Sequence, residues 1–261
     1  MAKLIPLPAA TVTLVRDGAQ GLEVLMMKRN EKSAFVPGRY LFPGGAVDTS
    51  DGLSDIHARC TGLNDETASK RLGIQSGGLA YWVAAIRESF EESGLLLAYG
   101  ENGACVSHER AAELAQHRKS VADNRMSFDV LMRDEGLSLS VDALVYFAHW
   151  ITPPGAPRRY DTRFFAAYAP EGQDPVHDNQ EMIESVWMSP RDGVARHKAG
   201  DFKLMTPTIH TLKLFAKYDT AEDLLKALRA LPDVPCMAPR IDPSGRRVLP
   251  GEPGYDQLPA D

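Results

Sequence analysis

The sequence predicts one α/β domain carrying insertions, followed by a proline-rich tail. Strand-like and helical segments alternate along most of the chain, which favours a sheet with helices packed on it. No internal repeat is present. The last 30 residues hold seven of the 18 prolines (Pro232, Pro235, Pro239, Pro243, Pro250, Pro253 and Pro259), which argues there against helix or inner strand. With 261 residues, 44% hydrophobic and 25% charged, the chain can bury a sizeable core.

Residues 10–16 and 23–28 are rich in β-branched and apolar residues and flank the turn-forming segment Asp17 to Gly21, so an opening hairpin is expected. Val36 to Asp48 (VPGRYLFPGGAVD) reads as a short strand and a bend punctuated by Pro37, Gly38, Pro43, Gly44 and Gly45. A short helix is expected at Asp65 to Leu72. A strong one is expected at Leu79 to Ser93, stopped by Gly94. Residues 107–135 read as two further helices. Ala143–Ile151 and Tyr160–Ala169 read as strands around the PPGAP turn, and Ile183–Met188 as another strand. Ser189-Pro190, Thr206-Pro207, and Thr220 with Asp223 mark three helix starts.

Charge narrows the function. Lys and Arg number 29 against 35 Asp and Glu, so the net charge is −6 and the pI is near 5.7. That removes the positive field which nucleic acid or an anionic membrane would want, yet allows a basic pocket for a small anionic ligand. Cys60, Cys105 and Cys236 are widely spaced with no C-x-x-C pair, which suits a reducing compartment. Pro6 and Pro8 interrupt the apolar N-terminal stretch, the last four residues are not a peroxisomal address, and Ala143–Ile151 is too short to span a bilayer. A cytoplasmic protein is the expectation. His149, in an apolar strand, is expected to be a satisfied core residue, and Met26, Met27, Met126 and Met132 to fill the core.

The sharpest signal is R-E-S-F-E-E-S-G-L from Arg87 to Leu95. Glu88, Glu91 and Glu92 stand at i, i+3 and i+4 and so share one helix face. An E-x-x-E-E alone is an ordinary solvated face. Clustered carboxylates otherwise call for a cation, and hard oxygen donors suit Mg²⁺ or Mn²⁺ beside substrate phosphates. Trp82, Ile86 and Phe90 leave another face to bury against a sheet.

With the preceding FPGG loop, this segment resembles the Nudix box, Gly-x5-Glu-x7-Arg-Glu-U-x-Glu-Glu-x-Gly-U with U aliphatic. If Gly45 takes the leading glycine, the first acidic position falls on Asp51. From Asp51 to Arg87 is then 36 residues where the motif has 8, an insertion of 28. Ser89 occupies an aliphatic slot. A register starting at Gly73 puts Leu79 where Glu is wanted and is rejected. The interrupted box, with Trp150 to Phe165 and Arg246 to Tyr255, is similar to the coenzyme A diphosphatase branch of the family.

The resemblance implies a Nudix-like α/β/α sandwich with a mixed sheet and extra helical insertions at about 52–78 and 104–138, residues 1–231 forming the domain. The tail 232–261 would pack on the domain or on a partner subunit of a homodimer. It implies hydrolysis of the pyrophosphate in a nucleoside diphosphate derivative, coenzyme A or acyl-CoA first. ADP-ribose or NADH hydrolysis, or nucleotide sensing without cleavage, are the alternatives. Glu88, Glu91 and Glu92 would hold Mg²⁺ or Mn²⁺, and Arg87 would orient them. The base would be Glu91 or an acid of a later loop, Glu181 or Glu184, with Glu184 the choice. Gly44 and Gly45 would let the backbone turn beside the metals. Arg29, Arg39, Arg158, Arg159 and Arg163 are the candidate substrate contacts, although an Arg-Asp network fixing the turn explains the last three equally well.

Overall fold

The computed structural model describes residues 4–33 and 36–259. The residues at either end of the chain on which the expectations about export and a peroxisomal address partly rest, 1–3 and 260–261, lie outside them.

Eight strands form a mixed sheet in which the opening hairpin is central. Strand β1 (Leu7–Gly18) turns at Gly18↔Gly21 into β2 (Gly21–Arg29), longer on both sides than sequence patterning suggests. The order is β10-β7-β8-β1-β2-β3, with β3 at Tyr40–Leu41, β7 at Val145–Ile151, β8 at Tyr160–Tyr168 and β10 at Cys236–Met237. β9 (Met182–Met188) pairs with β2. β1 runs parallel to β8 from Leu7 to Val15, and β10 runs parallel to β7. The two hairpin strands pair only near their turn and then diverge. The FPGG segment fills the fork: β4 (Gly44–Ala46) pairs with β1 at Ala9 to Thr11, and β3 (Tyr40–Leu41) pairs with β2 at Met27 and Lys28.

Both faces of this sheet are covered, which is why its central strands are nearly continuous apolar runs. On one face α3 (Leu79–Ser93) buries Trp82, Ile86 and Phe90 against Leu14, Leu25, Met27 and Phe165. On the other, α8 (Thr206–Phe215) and α9 (Ala221–Arg229) bury Leu212, Phe215 and Leu225 against Val24, Met26 and Phe164. The neighbours Phe164 and Phe165 thus serve opposite layers, as a two-residue period requires. Met26, Met27 and Met132 are fully buried, and Met126 packs on the α3 side.

Two insertions attach to α3. The first carries α1 (Ser54–His57) and α2 (Asp65–Leu72). The second lies between β5 (Ala98–Tyr99) and β6 (Ser138–Leu139) and carries α4 (His108–Leu114), α5 (Arg118–Ala122) and α6 (Phe128–Asp134). Three short helices therefore replace the expected two. A left-handed Asn124 (φ 53°) breaks the chain between α5 and α6.

Ser189 caps α7 (Pro190–Ala199) and Thr220 caps α9, as expected. Thr206 differs: it is the first helical residue of α8, and Met205 holds the cap position without a side-chain bond. In the tail, β10 joins the sheet at its edge, where a missing inner partner costs nothing, and β11 (Arg240–Ile241) pairs with β12 (Arg247–Val248). Among the described residues no helix is long and apolar enough to cross a membrane.

Candidate active site

Helix α3 has no side-chain cap of its own at Gly78; α2 supplies one. Asp65 accepts from the Gly77 and Leu79 amides at 2.9 Å each, putting a carboxylate where the helix dipole favours it. Gly94 ends the helix in the left-handed region at φ 75°, which an L side chain rarely adopts. Gly73, the rejected start of the box, is the left-handed cap of α2 instead. Ser89 suits its buried aliphatic slot because its hydroxyl donates to the Leu95 carbonyl at 2.9 Å.

Arg87 is the hub of the acidic cluster. Its Nε and Nη2 donate to the two oxygens of Asp51 at 2.8 and 2.9 Å, and Nη2 also donates to the Ala46 carbonyl. Its Nη1 donates to Glu88 Oε1 at 2.9 Å and Glu91 Oε1 at 3.0 Å. Asp51 is 1% exposed and closes a capping box with Asp48, so the two halves of the interrupted motif meet through one bidentate pair. The Gly44 amide donates to Glu92 Oε2 at 3.0 Å. Gly44 allows close backbone approach, since a Cβ there would lie 2.5 Å from the Ala10 carbonyl oxygen, while one at Gly45, 2.5 Å from Glu88 Oε1, would displace that carboxylate.

Four carboxylates thus gather around one guanidinium, which bonds three of them directly. Burial pushes the Glu88 carboxyl up to about 7, with the Arg87 charge opposing and the Glu91 charge adding. Burial and the Glu88 charge push Glu92 well above the usual carboxylate range. Asp51 and Glu91 are also raised by burial, against the pull of Arg87. Burial alone would lower Arg87, but its bonds to Asp51 and the charges of Glu88, Asp51 and Glu91 raise it, so it stays charged.

Glu88, Glu91 and Glu92 form one wall of a pocket of about 500 Å³ that Gly44, Gly45 and Ala46 of β4 also line. Tyr160, Thr162 and Phe164 of β8 floor it, Met205 and Pro207 close one side, and Val121 and Asn124 of the second insertion close another. A cavity of about 730 Å³ lies elsewhere, between Leu96–Tyr99 and Tyr168–Asp174, and has no α3 residue in its lining. Size alone does not mark a site.

The candidate arginines separate. Arg29 lines the pocket and ion-pairs with Glu181, which also lines it. Arg158 is exposed on the rim and makes no ion pair among the described residues. The other three do not line this pocket. Arg39 donates to the Leu204 carbonyl at 3.1 Å, outside the pocket lining. Arg159 is buried and donates to the Thr152 and Leu4 carbonyls, fixing the turn. Arg163 is buried on the α3 face, paired with Asp161 and donating to His149 Nδ1 at 3.1 Å. His149 therefore carries its proton on Nε2 and donates to Asp161 Oδ1 at 2.6 Å, a satisfied core histidine.

Glu184 does not line the pocket either. Facing Lys28 across β2, it turns toward the α7 layer and accepts from the Tyr40 hydroxyl at 2.9 Å. A register shift at Lys28/Arg29 separates it from Met182, which packs on the α3 side, and leaves Glu181 as the later acid at the pocket. Two contributors lacked an assigned role in the sequence reading. Asp51 was legible by its six-residue step from Gly45. Arg118, which donates Nε and Nη2 to the Glu91 carbonyl at 3.2 and 2.9 Å, left no local signal.

As the side chains stand, no group of three or more Asp, Glu, His or Cys residues among those described encloses a cation. Arg87 and the Gly44 amide occupy oxygens of Glu88, Glu91 and Glu92. The donor chemistry still fits a hard divalent ion: only oxygen donors, partly buried, with three more negative charges than the guanidinium balances.

A mixed sheet between helical layers, with an R-E-x-x-E-E helix packed against a glycine loop at a pocket, defines a hydrolase of phosphoanhydrides that works with divalent metal. The chain belongs to the Nudix family: the family model for the NUDT19 Nudix domain matches residues 58–214, a span that includes α3 and begins after Gly45 and Asp51. Among curated relatives, the acyl-coenzyme A diphosphatase NUDT19 of Xenopus laevis is 27% identical over 94% of this chain and 74% of its own length. That of Gallus gallus is 30% identical over 78% of this chain, and that of Homo sapiens 25% identical over 80%, each alignment covering 64% of the relative. The chain thus spans about two thirds to three quarters of these relatives. The crystal structure of a Nudix hydrolase from Alicyclobacillus acidocaldarius is 27% identical with a TM-score of 0.69, covering 88% of this chain and all of that one.

Proposed function

We propose that the chain is a Mg²⁺- or Mn²⁺-dependent diphosphatase that hydrolyses coenzyme A or acyl-CoA to 3′,5′-ADP and phosphopantetheine or its acyl form. The reaction class is carried by the buried surplus of carboxylates around Arg87 at the pocket. The substrate rests on the relatives called acyl-coenzyme A diphosphatase. Three free thiols favour a reducing compartment such as the cytoplasm.

In the reaction a water oxygen attacks one phosphorus of the pyrophosphate. The bond from that phosphorus to the bridging oxygen breaks, and the electron pair leaves with the other phosphate. Glu91, on the pocket wall, takes the water proton; Glu181 is the second candidate because it lines the same pocket. A bound divalent ion supplies neutralisation of the phosphate charge, and Glu88, Glu91 and Glu92 would hold it. Arg87 orients Glu88 and Glu91, while the Gly44 amide orients Glu92. Arg29 and Arg158 bind substrate phosphates, with Arg158 on the rim suited to the 3′-phosphate.

Hydrolysis of coenzyme A, acyl-CoAs, dephospho-coenzyme A, ADP-ribose and NADH, each with Mg²⁺ or Mn²⁺, tests this. Preference for coenzyme A over its dephospho form supports the assignment. Equal or faster cleavage of ADP-ribose moves the substrate, and no cleavage of any member favours a nucleotide sensor.

A further inference from the structure

The two insertions grip opposite ends of α3, and the second grips the end that bears the acids. At the C-terminal end the Glu91 carbonyl loses its helical partner, because the Leu95 amide is engaged by the Ser93 hydroxyl at 3.3 Å. Arg118, the first residue of α5, supplies the replacement with two N–H groups. Its guanidinium is buried, 8% exposed, and lies against Gly94, where an added Cβ would meet Nη1 at 3.1 Å. Burial disfavours its charge, and the charges of Asp178, Glu92 and Glu91 oppose that cost only in part.

The same spot ties in the loop that carries Glu181. The Val176 amide donates to the Ser93 carbonyl at 2.7 Å, and Lys119 Nζ donates to Gln180 Oε1 at 3.2 Å. Asp178 accepts from the Gln180, Glu181 and Met182 amides at 3.2, 3.1 and 2.8 Å. Three segments therefore meet at this end of α3: its own last turn, the insertion helix α5, and residues 176–182.

We propose that Arg118 is a positioning residue, through which the insertion between β5 and β6 fixes the last turn of α3 and with it the acids Glu91 and Glu92. This rests on the reading that those acids hold the divalent ion. Arg118 does not line the pocket and acts only through the Glu91 backbone.

Sign separates positioning from mere charge. Were the guanidinium only a nearby cation, Arg118→Met would leave the site one charge more negative and tighten Mn²⁺. If it positions the acids, the same change loosens Mn²⁺ by about 10- to 100-fold, as loss of groups behind a metal's ligands does. Asp65→Ala is the comparison: it uncaps the other end of α3, twelve residues and about 18 Å from Glu91, and should lower Tm while leaving Mn²⁺ affinity unchanged.

The experiment is Mn²⁺ titration of the full-length wild type, Arg118→Met, Arg118→Lys and Asp65→Ala by calorimetry, with circular dichroism to verify folding. The kcat and KM of each for coenzyme A are measured at saturating Mn²⁺. The expected result is weakened Mn²⁺ binding in Arg118→Met, partial recovery in Arg118→Lys, which keeps one donor and the charge, and a change in kcat larger than that in KM. Unchanged or tighter Mn²⁺ binding in Arg118→Met, or in Arg118→Lys should Arg118→Met not fold, overturns the proposal. A wild type that binds no Mn²⁺ overturns the metal reading itself, and the proposal with it.

Discussion

Arg87 and Arg163 are both buried arginines bonded to carboxylates, yet only one faces the pocket. Around Arg163 the charges balance: Asp161 answers the guanidinium, while His149 Nδ1, the Tyr146 hydroxyl and the Leu72 carbonyl accept from its Nη1. Asp161 is accordingly lowered: burial would raise it, but the His149 hydrogen bond and the Arg163 charge win. Around Arg87 four carboxylates compete for one cation, and all four are raised. A charge-balanced network is a structural tie. An open one with surplus charge is costly to the fold by itself and marks a place where something positive is meant to bind.

The largest test of that contrast is Glu88→Gln or Glu92→Gln. Turnover should fall by at least about 10²- to 10³-fold, the usual loss for one electrostatic catalytic group. At the same time Tm of the metal-free protein should rise, since a repelling charge is removed. A fall in Tm, read by calorimetry in EDTA, would mean the carboxylates are structural after all.

Arg163→Met should do the reverse. Breaking a buried pair costs on the order of 3 kcal/mol, so Tm should drop by several degrees, while KM for coenzyme A stays within twofold or so of wild type. A raised KM at unchanged Tm would restore Arg163 as a substrate contact.

Next in size is the linkage between protons and metal. Glu88 holds its proton to about 7 in the folded protein because of burial, whereas its ordinary value is 4.5. Between those values the folded state binds more protons than the unfolded one, so stability of the metal-free protein falls as pH rises from 4.5 toward 7. Mg²⁺ at a hundred times its Kd should add about 2.7 kcal/mol and flatten that slope near neutrality, because the ion replaces the proton. Thermal melts across pH with and without Mg²⁺ measure both; identical slopes would remove Glu88 from the metal site.

The smallest effect belongs to Arg158→Ala. An exposed arginine gains little from water, so KM for coenzyme A should rise by less than about tenfold. KM for dephospho-coenzyme A should not change; equal shifts for both would assign Arg158 to the pyrophosphate.

Much of this was local enough to read from sequence. Helix α2 begins and ends where its cap and glycine say, and α3 ends at Gly94, because a cap acts within one turn. The i, i+3, i+4 acids share a face for the same reason. Thr206 shows the limit of such rules, since a hydroxyl before proline can sit inside the helix as well as cap it. Glu184 shows another: one irregularity between Lys28 and Arg29 decides which of the late acids reaches the pocket, and no pattern in H-D-N-Q-E-M-I-E-S-V-W encodes it.

The sequence by itself determined the sheet-and-helix class, the acidic helix face, the glycine loop and the placing of Asp51 in the motif, since each depends on spacing along the chain. Only the tertiary structure decided that Asp51 and Arg87 close a 28-residue interruption. It also decided that Arg39, Arg159 and Arg163 are ties while Arg29 and Arg158 reach the pocket, and that Asp65 and Arg118 hold the two ends of α3. The physical reason is common to all of these: an arginine's partners are fixed by which carbonyls and carboxylates packing brings within 3 Å or so, and burial sets what each charge is worth there.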